Sequence, residues 1–141
     1  MPQIIRDISK IARYGVEYRS EKFAPMGLKS CHGRYLTEIC ASPGISQEQL
    51  AKTISYNKSN VARQVAALEE AGFIERRTCG KDKRVMRLYP TEKALSVLPQ
   101  ITQIMDHWHA WLIQDLSEEE QLLLENLLTR IKNRAADCLE E

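Results

Sequence analysis

Residues 44–77 read GISQEQLAKTISYNKSNVARQVAALEEAGFIERR, and this stretch decides the fold. Ser46, followed three residues later by Gln49, has the form of a capping box, which predicts a short helix over QEQLAKTI. After the break SYN, Asn57 is a favourable N-cap for a longer helix that ends at Gly72 in the C-cap position. Because a tight turn of about four residues separates the two helices, the stretch predicts a helix-turn-helix.

The second of these helices has one apolar stripe at helical spacing, formed by Val61, Val65 and Leu68. At about 100° per residue, the side opposite this stripe carries polar and small residues, namely Ser59, Ala62, Arg63, Ala66, Ala67 and Glu70, with Asn60 beside them. A polar first turn followed by alanines suits a helix that enters the major groove of DNA with its N-terminus first. Taken alone, the same face also fits an ordinary solvated helix.

The segment that follows is strongly basic. FIERRT and VMRLY are β-favourable runs joined by a Gly-containing loop, and they predict a β-hairpin. Residues 76–87 hold six basic side chains and one acid, Asp82, although the formal net charge of the chain is only +1. A basic hairpin beside such a helix would meet DNA phosphates or the minor groove, and we expect Asp82 to aim Arg84 into that groove. A solvated charged loop is the alternative.

The outer segments predict further helices. Residues 3–22 have an amphipathic pattern, KSCHGRYLTEICA predicts a shorter helix, a long helix follows Thr91, and Ser117 with Glu120 forms a capping box for the last helix. The expected fold is mainly α with a small β-hairpin wing. We expect one domain, residues 1–141, with a winged helix-turn-helix lobe at 30–90 and a helical dimerisation lobe formed by 1–24 and 91–141. These helices are apolar enough to form a dimer, although they could also pack within one chain.

Several classes of protein are disfavoured. No apolar run approaches the roughly 20 residues of a membrane span, and the N-terminus lacks the apolar block of a signal peptide, so we expect a cytoplasmic protein without membrane contact. The four cysteines are separated by 9, 39 and 59 residues, which fits neither a disulfide framework nor a zinc site. The chain contains no HExxH, Gly-rich phosphate loop or nucleophile elbow, so we expect neither an enzyme nor a cofactor.

The stretch 44–77, followed by DKRVMRLYPTEKA, resembles the MarR family of bacterial winged-helix regulators, including its wing pattern Asp-x-Arg at Asp82 and Arg84. The resemblance implies a homodimer on a pseudo-palindromic double-stranded operator, usually acting as a repressor that a ligand or cysteine oxidation releases. It departs from the family at Asn57, where an aspartate is frequent. Together with the basic hairpin, the resemblance selects a set of expected DNA-binding residues: Asn57, Lys58, Ser59, Asn60, Arg63, Gln64, Arg76, Arg77, Lys81, Asp82, Lys83 and Arg84.

The sequence is compatible with more than one signal that could regulate this protein. A small aromatic or amphipathic effector is one hypothesis, with a lining formed by Tyr14, Tyr18, His32, Trp108 and Trp111. Oxidation of Cys31 or Cys79 is a second, because basic neighbours favour the thiolate of Cys79; family redox sensors, however, carry a cysteine near the end of the first helix, and this chain has none there. We expect no metal site. The alternative function is a winged-helix module that binds protein instead of DNA.

Overall fold

The computed structural model describes residues 1–54, 57–78, 80–81 and 83–140, and it confirms a mainly helical fold with a small antiparallel sheet. Among the described residues, no helix combines the length and apolarity that a membrane span requires. A short 3₁₀ turn, Ala24–Met26, follows the first helix. The elements are α1 (Gln3–Phe23), α2 (His32–Ala41), β1 (Ile45–Ser46), α3 (Gln47–Ile54), α4 (Lys58–Glu70), β2 (Ile74–Thr78), β3 (Met86–Pro90), α5 (Glu92–Ile113) and α6 (Glu118–Glu140).

The chain divides into two compact units. The first, Met1–Ile104, contains every element from α1 to β3 and the beginning of α5, and the second, Met105–Glu141, contains the rest of α5 and α6. The fully buried apolar side chains belong to the first unit, which therefore holds the core. The grouping of residues 1–24 with 91–141 into one dimerisation lobe stays a prediction.

The sheet has three strands in the order β1-β3-β2, all antiparallel. The predicted hairpin is confirmed, with Ile74 opposite Pro90 and Thr78 opposite Met86. Strand β1 was not predicted, because two residues cannot show an alternating pattern. It forms because the backbone turns at Gly44, whose φ is +89° and whose N–H donates to the carbonyl of Leu88 at 2.7 Å.

The helix-turn-helix consists of α3 and α4, and its helices begin as predicted. Ser46 Oγ accepts the N–H of Gln49 at 3.0 Å, which caps α3. Asn57 Oδ1 accepts the N–H of Asn60 at 3.0 Å, which caps α4. Ser55 and Tyr56, in the predicted turn, lie outside the described residues.

The end of α4 differs by one residue from the prediction. Ala71 is the C-cap, and Gly72 is the next residue, with φ +85°. The N–H of Gly72 donates to the carbonyl of Glu69, and the N–H of Phe73 donates to that of Leu68, which is a Schellman motif. This motif turns the chain from α4 directly into β2, with Phe73 fully buried.

A second set of bonds joins the hairpin to α5. Thr91 Oγ1 lies 2.7 Å from the carbonyl oxygen of Gly72 and accepts the N–H of Ala94 at 3.4 Å, while the N–H of Thr91 donates to the carbonyl of Phe73 at 3.0 Å. Thr91 therefore ties the start of β2 to the start of α5. The core around these connections draws on α2, α3, α4 and the sheet, with Leu36, Ile39, Leu50, Val61, Val65, Leu68, Phe73 and Leu88 all fully buried.

The predicted capping box of the last helix is confirmed in both directions. Glu120 N–H donates to Ser117 Oγ at 3.1 Å, and Ser117 N–H donates to Glu120 Oε1 at 3.0 Å. None of residues 118–140 is buried, although this helix is rich in leucine. Its exposed apolar side chains are Leu122, Leu123, Leu124, Leu127, Leu128, Ile131 and Leu139.

We expect Gly72→Ala to lower the free energy of unfolding by about 1–2 kcal/mol, because a residue with a Cβ is disfavoured at positive φ. The nearest atom to an added Cβ is Lys93 Cδ at 3.9 Å, so the cost would be conformational and not steric. Urea denaturation at fixed protein concentration measures the change. Gly80→Ala is the control, since an added Cβ there meets nothing within 4 Å and its φ is not positive. Equal midpoints for both variants would contradict the prediction.

Candidate DNA-binding surface

The outward face of α4 is the face predicted from the sequence. Val61, Val65 and Leu68 are fully buried, so the opposite side of the helix is turned outward. Ser59, Arg63, Ala66 and Glu70 are exposed, and Asn60, Ala62 and Ala67 are half-buried. The first turn therefore presents hydrogen-bonding groups, and the alanines behind it leave room for a surface to approach closely.

Polar side chains in the first turns of α4 form a connected series. Asn57 Oδ1 holds the backbone N–H of Asn60, and Asn60 Oδ1 in turn accepts from Arg63 Nη2 at 3.4 Å. Lys58 lies 3.7 Å from the carboxylate of Glu48, and both side chains are largely exposed. An exposed pair of this kind contributes little to stability, so Lys58 remains available for a phosphate.

The wing comprises β2, β3 and the segment 79–85 that joins them. Lys81, Lys83 and Arg84 are exposed, as expected for a basic surface. Asp82, expected to aim Arg84, and Cys79, a redox candidate, lie outside the described residues.

A cavity of about 640 Å³ brings the helix-turn-helix and the wing together. Lys58 and Val61 line it from α4, and Arg84 and Arg87 line it from the wing. Strand β1 and helix α3 contribute a further wall through Ile45, Ser46, Gln47, Glu48, Gln49 and Ala51. Two regions that are 26 residues apart in sequence, at Lys58 and Arg84, therefore belong to one concave basic surface.

Three more of the expected DNA-binding residues have partners within the chain, and these partners lie outside the first turns of α4. Arg76 is half-buried and bonded to Glu69 through its backbone N–H at 3.2 Å, Nε at 3.1 Å and Nη2 at 2.9 Å. Arg77 is exposed, donates to Glu75 Oε2 at 2.8 Å, and lies over the ring of Tyr89 with its Cζ 4.3 Å from the ring centroid. Sequence reasoning missed both pairs: Glu69 approaches Arg76 only once α4 turns back into β2, and Glu75 pairs with Arg77 because alternate residues of a strand lie on one face.

Gln64 is the third such residue, and its partner is His32. His32 is buried, its Nδ1 accepts the backbone N–H of Lys29 at 3.0 Å, and its Nε2 lies 2.8 Å from Gln64 Oε1. Because Nδ1 accepts, the proton of the neutral ring is on Nε2 and is donated to Gln64. Burial lowers the pKa of His32, the bond to Gln64 raises it to a smaller extent, and Lys29 lowers it further. His32 thus connects the start of α2 to the middle of α4.

The candidate sensing residues are spread over both compact units of the chain. Tyr14, Tyr18 and His32 belong to the first unit, and Trp108 and Trp111 belong to the second, so the effector lining stays a prediction. Cys31 is exposed, yet partial burial raises the pKa of its thiol and outweighs the opposing effects of a backbone hydrogen bond, Lys29 and Arg19. A raised pKa disfavours the reactive thiolate. Within the described ranges, no cluster of three or more His, Cys, Asp or Glu side chains is arranged to hold a metal ion.

Comparison with known proteins agrees with this geometry. The MarR family model matches residues 31–86. The chain is 31% identical over 132 residues to YybA, an uncharacterized HTH-type transcriptional regulator of Bacillus subtilis strain 168, covering 94% of this chain and 88% of that one. The crystal structure of the transcriptional regulator SlyA superposes with a TM-score of 0.94 at 33% identity, covering 99% of this chain and 98% of that one.

A further solved structure contains nucleic acid. A Listeria monocytogenes protein assigned to the MarR family of transcriptional regulators, crystallised in complex with a 26mer DNA, superposes with a TM-score of 0.90 at 29% identity. The superposition covers 97% of this chain and 91% of that one. All of these names are those of regulators and not of enzymes.

We expect protonation of His32 to destabilise the fold. A pKa lowered from its ordinary value of 6.5 means that the unfolded chain binds the proton more tightly. The contribution of His32 to stability is therefore complete above pH 6.5 and is lost as the pH falls through the lower pKa of the folded state. Denaturant unfolding measured across this window, compared with His32→Gln, tests it. An identical pH dependence in both proteins would contradict it.

Proposed function

Because this chain belongs to the MarR family of transcriptional regulators, we propose that it binds a pseudo-palindromic DNA operator as a homodimer. In each subunit α4 enters the major groove, and Arg84 of the wing reaches the adjacent minor groove. The observation that carries this proposal is the common concave surface lined by Lys58 of α4 and Arg84 of the wing. A polar helix face alone, or a basic loop alone, would fit an ordinary solvated surface as well as a DNA-binding one.

The assignment of roles follows the exposure of the side chains. Lys58, Lys81, Lys83 and Arg84 are exposed cations that neutralise phosphates or enter the minor groove. Asn60 and Arg63, on the outward side of the first two turns of α4, are the base-reading candidates, because amide and guanidinium groups match base edges in the major groove. The bound DNA of the Listeria relative supports DNA as the partner of this surface.

The homodimer is supported by the apolar surface of both units. On α1, Ile4, Ile5, Ile8 and Ile11 are 41–62% exposed, and on α6 the leucine-rich stripe is exposed along its length. A monomer that left surfaces of this size in water would be prone to association. A second copy of the chain covers them in the proposed assembly, and a two-fold dimer matches the symmetry of a palindromic operator.

The proposed regulatory action is repression that a small aromatic or amphipathic molecule relieves. We favour this input over oxidation of Cys31, because the raised pKa of its thiol disfavours its reactive form. The proposal includes a cytoplasmic location, since bacterial operators are found there. A winged-helix module that binds protein is the alternative, and salt dependence separates the two.

The affinity for duplexes recovered by selection from genomic fragments should fall steeply with salt, with a slope of log affinity against log salt of about −0.9 per phosphate neutralised. Arg84→Ala should weaken binding by about 10-fold or more and make this slope shallower by about 2, one contact from each subunit. Lys10→Ala removes the same charge from α1 and should change neither quantity. A flat slope for the unmodified protein would instead support the protein-binding module.

Replacing two apolar residues of α6 by acids should dissociate the dimer. Leu127→Glu with Ile131→Glu puts charges into the stripe that the second copy is proposed to cover, and burial of unpaired carboxylates is strongly unfavourable. Sedimentation at micromolar concentration should show a monomer that keeps its helical circular dichroism. Thr129→Glu with Asn133→Glu adds the same charge on the opposite side of the helix and should stay dimeric. A dimer in both variants would exclude this stripe from the interface.

A further inference from the structure

The ion pair between Glu69 and Arg76 joins α4 to the wing. Glu69 lies in the last turn of α4, and Arg76 is the third residue of β2. Both oxygens of the Glu69 carboxylate are used: Oε1 accepts from Nε and Nη2 of Arg76 at 3.1 and 2.9 Å, and Oε2 accepts the Arg76 backbone N–H at 3.2 Å. The carboxylate therefore holds the strand as well as the guanidinium.

Two sets of contacts span the turn from α4 into β2. One is the Glu69–Arg76 pair, and the other is the Schellman motif, in which the N–H groups of Gly72 and Phe73 donate to the carbonyls of Glu69 and Leu68. Glu69 takes part in both sets, through its backbone carbonyl and through its side chain. The Arg76 hydrogen bond is the main cause that lowers the pKa of Glu69, so the contact favours the ionised carboxylate. The Schellman motif and the Glu69–Arg76 pair therefore each restrain the direction in which β2 leaves α4.

Small changes in that direction matter at the far end of the wing. Thr78 lies six positions after Gly72, and at about 3.3 Å per residue the end of β2 is roughly 20 Å from Gly72. A tilt of about 10° at Gly72 would move that end by roughly 3 Å, which is the length of a whole hydrogen bond. Arg84 follows this strand end, so its position relative to α4 depends on the angle.

We propose that Glu69 and Arg76 are positioning residues, which fix the angle of the wing to α4 so that Arg84 and the first turn of α4 reach the same DNA duplex. The inference rests on the proposed function. It also reassigns Arg76, which orients the wing and does not contact phosphate. An acid on the helix that enters the groove repels DNA, and on this account the repulsion is offset by the geometry that the acid maintains.

The test asks whether Glu69→Gln strengthens or weakens DNA binding. Glu69→Gln removes a negative charge from the DNA-binding helix, so electrostatics alone would strengthen binding. Loss of positioning should instead weaken binding by about 10-fold, within the range of coupled residues in contact. Glu70→Gln is the matched control: it removes the same charge from the neighbouring exposed position of α4 and should leave affinity unchanged or slightly improved. Circular dichroism and urea unfolding confirm that both variants are folded.

A double-mutant cycle separates positioning from general loss of stability. In the Glu69→Gln background, Arg84→Ala should cost much less than it costs in the parent protein, because Arg84 is already misplaced. Arg76→Lys, which keeps the charge but loses the paired donation from Nε and Nη2 to Glu69 Oε1, should weaken binding and show the same coupling to Arg84. It also serves as the second variant if Glu69→Gln does not fold.

Failure of the positioning role and failure of the proposed function would give different results. Glu69→Gln binding as tightly as Glu70→Gln, or additive losses in the cycle with Arg84→Ala, would overturn the positioning role while leaving DNA binding intact. Loss of salt-dependent DNA binding in the unmodified protein would overturn the proposed function itself.

Discussion

The burial of one stripe on α4 is the constraint on which the rest of the structure depends. Val61, Val65 and Leu68 are fully buried, and no other rotation of this helix would keep them from water. Since side chains are about 100° apart around a helix, that single requirement also decides which residues face outward. The exposed position of Ser59 and Arg63 is thus a consequence of packing on the opposite side.

The wing is attached to this helix by short connections instead of a large interface. Gly72 at positive φ turns the chain, Thr91 ties the start of β2 to the start of α5, and Glu69 holds Arg76. Each connection uses groups that a helix end or strand start would otherwise leave unsatisfied, which is how a small hairpin acquires a defined direction without a core of its own. The third strand, β1, adds a further support through its pairing with β3.

The basic residues at positions 76–84 of the wing therefore fall into two groups with different surroundings. Arg76 and Arg77 are engaged by Glu69, Glu75 and the ring of Tyr89, and they shape the base of the wing. Lys81, Lys83 and Arg84 are exposed further along the hairpin. A chain with a net charge of +1 can accordingly present a local cationic surface. Glu69 and Glu75 pair with arginines near the start of the hairpin and do not lie among the exposed cations further along it.

The features that could be predicted from the linear sequence are local: the helix starts from capping residues, the buried stripe of α4 from its periodicity, and the hairpin from β-favourable runs. The resemblance to the MarR family also lay in such local patterns, and the family match confirms it. These features arise from neighbours within a few residues, so a linear pattern contains them. The pairing of β1 with the sheet, the internal partners of Arg76 and Gln64, and the cavity lined by Lys58 and Arg84 arise only in the folded chain. These contacts join residues that lie from 7 to more than 40 positions apart, and burial and hydrogen bonding select them only after the chain has folded back on itself.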